Sequence, residues 1–169
     1  MRRLFALLLL MLLASPAFAS VSVTFYSHEL GNGFPHAFFR VEGTLDRGGP
    51  PVDQNYGFTA KSISPAILFG PVYGEIEHAK PGYVANSDAQ FSLTISDAQY
   101  AALMAVVEKW RTRPGKSYDL GKANCVHFIG EAAAAIGLLV SFPKELMKKP
   151  RSYLQHVRSL NARLLAASR

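Results

Sequence analysis

The sequence has almost no cysteine: Cys125 is its only one. That excludes an internal disulfide framework and any zinc or iron–sulfur site built on several thiolates. Charge is scarce as well, at 18% of residues against 49% hydrophobic. Wholesale disorder is thereby excluded, because it needs low hydrophobicity and high net charge. No apolar run reaches the ~20 residues of a membrane-spanning helix. The longest, Leu4 to Ala14, has eleven. Phosphate-binding glycine loops are missing. The aromatic residues are not interleaved with Lys and Arg, so no nucleic-acid partner is expected. The length of 169 residues suits one domain with a real core, not two ordinary ones.

What is present begins with a leader. Arg2 and Arg3 precede the Leu-rich run, Ser15-Pro16 breaks it, and Ala17-Phe18-Ala19 has the small-residue pattern of a cleavage site. This order predicts a secretory signal peptide over residues 1–19 and a single mature domain over 20–169. The expected location is periplasmic or secreted. Loss of Arg2 and Arg3 lowers the net charge from +6 to +4.

Along the mature chain, alternation and β-branched residues predict strands at Val21–Tyr26, His36–Leu45, Val52–Thr59, Val72–His78 and Ala89–Ile95. Asp46 to Pro51 (DRGGPP) is the strongest turn signal and hairpins the second and third strands. Together they read as a meandering antiparallel sheet. From Ser96 the period changes. Ser96 and Gln99 fit a capping box, and Tyr100, Leu103, Met104, Val107 and Trp110 follow at helical spacing up to Pro114. A second, Ala-rich helix runs from Asn124 to Ile136, with Gly137 at its C-cap position. A last helix from Ser152 carries Tyr153, Val157, Leu160 and Leu164 on one face and basic residues off it. That tail is either a docked helix or a peripheral contact with an anionic membrane surface. Strands followed by helices in one small chain predict an α+β fold.

Cys125 is the residue with chemistry to offer. Asn124 is a good N-cap, so Cys125 falls in the first turn of its helix. There, free amides and the helix dipole favour a thiolate and can also hold an acyl oxyanion. A thiol nucleophile needs an imidazole partner. His127 is two residues away on the same helix and faces elsewhere, so it and Asn124 are expected to support the site from behind. His78 and His156 look like surface residues. His36 opens a strand after a Gly-rich loop and ranks first as partner; His28 ranks second.

The run Asn124-Cys125-Val126-His127-Phe128, downstream of a strand that begins with His36, resembles the circularly permuted papain-fold thiol hydrolases. It is similar to the lecithin:retinol acyltransferase group and to an exported bacterial NlpC-like family. The second likeness is carried by Pro35-His36, Asn55-Tyr56-Gly57 and Asn124-Cys125. The resemblance spans roughly residues 21 to 140. It implies a permuted papain-like fold, with Cys125 as nucleophile and His36 as general base and acid. Asn55 is the third polar residue by the motif, and Thr59 is its rival by hairpin register. The implied activity is hydrolysis or transfer of an acyl group from an amide or ester of the cell envelope: a peptidoglycan peptide, a peptide or a lipid. No metal or organic cofactor is implied. The competing reading is an inert binding or structural module on the same scaffold.

Overall fold

The computed structural model describes residues 20–29 and 34–167; the predicted signal peptide lies outside the described residues. Five strands form one sheet: β1 Val21–His28, β2 His36–Gly43, β3 Val52–Ala60, β4 Gly74–Glu77 and β5 Asp88–Ile95. All neighbouring pairs are antiparallel. The strand order is β4-β3-β2-β1-β5. The first four strands meander as expected, but β5 returns to the far side of β1.

The link between β4 and β5 contains a short helix, α1 (Pro81–Ala85). It sends Tyr83 across the sheet, where the ring meets His28 at 4.0 Å and Phe38 at 5.9 Å. The sequence reading missed α1, although Pro81 sits at the first helical position, where its lacking N–H costs nothing. β4 is also shorter than predicted. Val72 leaves the sheet and bridges to Tyr118.

Strand alternation sorts the sheet into two faces. Val21, Val23, Phe25, Phe39, Val41, Phe58, Leu93 and Ile95 are buried on one face, against the helices. The β2–β3 hairpin turns at Gly48 and Gly49, whose φ values of +75° and +108° only glycine adopts without strain. Its tip is tied down because the amides of Asp46 and Arg47 donate to the Asp97 carboxylate at 2.9 and 3.0 Å.

Helix α2 (Asp97–Arg111) starts with the predicted capping box of Ser96 and Gln99 and buries Leu103, Val107 and Trp110. Helix α3 (Cys125–Ala135) is buried along most of its length. Its Phe128 ring packs on Phe39 and Trp110 at 5.8 and 5.7 Å. The predicted last helix is two: α4 (Pro150–Leu160) and α5 (Ala162–Ala167), broken at Asn161. The break shifts the phase of the apolar stripe. Tyr153, Leu154, Val157 and Leu165 go inward, whereas Leu160 and Leu164, predicted to share the inward face, are exposed. Among the described residues, no helix is long and apolar enough to cross a membrane.

Candidate active site

The site grows from the start of α3. Asn124 has extended backbone and accepts hydrogen bonds from the amides of Val126 and His127 at 2.9 and 3.4 Å. Its Nδ2 donates to the carbonyls of Leu120 and Met147, both at 2.7 Å. One buried side chain thus fixes the incoming loop, the helix start and the segment leading to α4. His127 Nδ1 closes the reciprocal half of the cap by accepting from the Asn124 amide at 3.4 Å. Its ring lies 6.1 Å from that of Phe142. His127 is thus part of the helix cap.

Cys125 is buried. Three amides reach its sulfur: that of Ala37, that of Val126 and its own. The Ala37 amide belongs to the peptide that joins His36 to Ala37, so the start of β2 runs past the thiol. The sequence reading expects a thiolate here. Burial opposes it and wins, pushing the thiol up to about 11 despite the three amides, because a desolvated anion costs more than these donors return.

His36 is paired across the ladder with His28. Alternation puts it on the same face as Phe38, opposite the face of Phe39 and Val41 that packs on the helices, and a Cβ on Gly57 would meet its Nε2. Burial, then the neighbouring His28, lowers its pKa to about 4. At rest the thiol and the imidazole are therefore both neutral. His36 lines a cavity of about 270 Å³ with Phe34, Phe38, Thr59, Tyr83 and Tyr118. Cys125 lines a slot of about 130 Å³ with Asn124, Lys148 and Pro150. The two spaces adjoin, sharing Phe34, Pro35 and Tyr118 as walls.

Asn55 is placed elsewhere than the motif implies. It lies inside β3, opposite Arg40. Its side chain is spent on Ala79, donating to the carbonyl at 3.0 Å and accepting from the amide at 2.6 Å. It clamps the end of the β4 connection. Continuing the pairing of Phe38 with Gly57 by two residues sets Thr59 across from His36. His28 holds Ser87 Oγ at 3.0 Å and stacks on Tyr83. Its ring is engaged by the connection over the sheet. His78 and His156 bond the Asn55 carbonyl and Ser141 Oγ, both at 2.7 Å.

Sequence reasoning missed Tyr83 and Tyr118. Burial raises both hydroxyl pKa values, that of Tyr83 to about 12, and proximity to Cys125 adds to each shift. Both phenols therefore stay protonated at neutral pH. Tyr118 had one available signal, as a lone aromatic in a polar loop just before the cysteine. Among the described residues, no three His, Cys, Asp or Glu side chains gather as metal ligands would.

Two expected results follow. Gly57→Ala puts a methyl where the His36 ring now lies, so it will turn the imidazole away. A thiol-dependent activity will then fall at least about tenfold in kcat with little change in melting temperature; an unchanged kcat would contradict the packing of this ring. Second, unfolded His36 takes a proton near its ordinary pKa of 6.5, but folded His36 only near 4. Below 6.5 the unfolded chain binds more protons. Stability contributed by the neutral ring is therefore lost as pH falls from about 6.5 to about 4, by up to about 3 kcal/mol. Urea melts of wild type and His36→Gln across that range will diverge in slope. Parallel curves would remove His36 as the source.

No protein-family model matches the chain, and no curated protein matches it. Among solved structures, the crystal structure of TseH, a type VI secretion system effector, is similar with a TM-score of 0.52. It is 14% identical in sequence and covers 85% of this chain and 90% of its own. At that identity the likeness is one of fold.

Proposed function

We propose that the protein is a cysteine-dependent hydrolase or acyltransferase of the permuted papain-like kind. Cys125 is the nucleophile, His36 the general base and acid, and Thr59, rather than Asn55, the polar residue that orients the imidazole. The observation that carries this reading is the set of three amides around the sole cysteine, one of them from the peptide of His36.

Nε2 is directed at Gly57 on β3, the strand of Thr59. As the sulfur attacks a carbonyl carbon, the S–H proton passes to His36 and the carbonyl π electrons move to oxygen. The oxyanion is held by the Cys125 amide, which the Asn124 cap does not use. On collapse, His36 returns the proton to the departing alcohol or amine, leaving a thioester on Cys125. Water, or another nucleophile, then gives its proton to His36 and takes the acyl group, and the thiol is restored. A neutral imidazole at rest can accept the first proton. The expected leader supports export and hence an envelope substrate.

One observation favours an inert module instead: a thiol held up near 11 is a weak nucleophile at rest. The test separates the two. The protein is incubated with p-nitrophenyl acyl esters, and its intact mass is read after acid quench. The proposal expects a single acyl adduct on Cys125, absent in Cys125→Ala. No adduct and no ester turnover with intact fold would establish the module.

A further inference from the structure

The charge of this chain is segregated. Residues 144–169 carry seven Lys and Arg against Glu145 alone, a net +6, which equals the charge of the whole sequence. Residues 20–143 carry nine basic and eleven acidic side chains, a net −2. Helices α4 and α5 contain no acidic residue. Lys144, Lys148, Lys149, Arg151, Arg158 and Arg163 are all exposed; Arg151 also bridges to Asp88 at 3.2 Å.

An apolar strip runs through the same region. The loop after α3 lies along α4. Leu139 is fixed by both backbone groups to the Asn161 side chain at 2.9 and 2.8 Å, Ser141 Oγ bonds His156 at 2.7 Å, and the Phe142 ring packs 5.9 Å from that of Tyr153. Leu139, Phe142, Leu160 and Leu164 are 66%, 45%, 41% and 46% exposed. Leu160 and Leu164 are four residues apart and flank the α4–α5 break at Asn161. A docked helix has no need to present these side chains to water, and a nucleic-acid groove would present aromatic rings and cations rather than leucines.

We infer that the α4–α5 segment with the loop Leu139–Phe142 is a binding surface for anionic phospholipid bilayers. The leucines and Phe142 enter the headgroup boundary, and the flanking Lys and Arg meet phosphate groups. The inference does not depend on the reading of Cys125. It does bear on it, because Lys148 and Pro150 of the same basic segment also wall the Cys125 slot.

The test is sedimentation of the mature protein with vesicles of phosphatidylcholine, with and without phosphatidylglycerol. Binding should require phosphatidylglycerol and weaken as salt is raised. Arg163→Ala should cost about fivefold in affinity. Leu160→Ser with Leu164→Ser should cost at least about tenfold without lowering the melting temperature, since both side chains are exposed. Cys125→Ala should bind like wild type. Equal binding to both vesicle types would overturn the inference. So would vesicle binding unaffected by the leucine variants, tighter binding to duplex DNA, or a dimer, lost in those variants, that excludes vesicles.

Discussion

Cys125→Ser and Cys125→Ala will each abolish ester turnover, by about 10⁴-fold or more, because residues that act as one catalytic unit are lost together. His36→Ala will cost a comparable factor, and the double variant will be little worse than either single one. Steady-state kinetics of all three decide the matter; additive losses would mean that the two residues do not work as a pair. His127→Ala acts through the helix cap, so it should lower stability and leave kcat within a few-fold. The resting thiol gives a second readout. Iodoacetamide should alkylate wild-type protein slowly at neutral pH, with a rate that climbs toward about 11, where burial has pushed the thiol. A plateau reached below pH ~8 would mean that the helix-start amides, not burial, set this pKa.

Phe128→Ala will be the most damaging core change near the site. Its side chain is fully buried, and its ring touches the sheet and α2 together: Phe39 at 5.8 Å, Phe58 at 6.5 Å and Trp110 at 5.7 Å. Removing it should cost about 3–5 kcal/mol. The urea midpoint should fall with the slope unchanged, and the melting temperature should drop by about 6–20 °C for a domain of this size. Phe128 lies one turn after Cys125, so the loss also frees the helix start. A cost below about 1 kcal/mol would show that the surrounding rings collapse into the gap.

Local signals were strong wherever one residue type dictates the backbone. The capping box at Ser96, the glycine turn at Gly48-Gly49 and the Asn124 cap were all legible because each rests on a short-range hydrogen bond or a φ value. The α+β class followed from the change of period at Ser96. The return of β5 to β1 was not legible. Nothing in Asp88–Ile95 names its partner, and only the packing of Tyr83 on Phe38 and His28 shows why the connection crosses the sheet. The two-helix tail was lost for a similar reason: Asn161 breaks the helix because its side chain is engaged by Leu139, 22 residues away. At the site, Cys125 stood out by its neighbours, whereas the bonds of the Asn55 side chain to Ala79 could not be read before the β4 connection was in place. The raised thiol pKa depends on burial by the whole domain, which no local motif encodes.

The strand that leads the described chain is the second in from one edge of the sheet, with partners on both sides. β1 finds β2 within one hairpin, but its other edge waits for β5, some seventy residues later in synthesis. Until then its unpaired amides and carbonyls, and the apolar row Val21, Val23 and Phe25, are open to pairing with another chain. The helix that carries Cys125 is made later still. Refolding should therefore show an early β1–β2–β3 hairpin stage and a slower closure by β5. Yield should fall with protein concentration, because an intermolecular strand competes for the vacant edge.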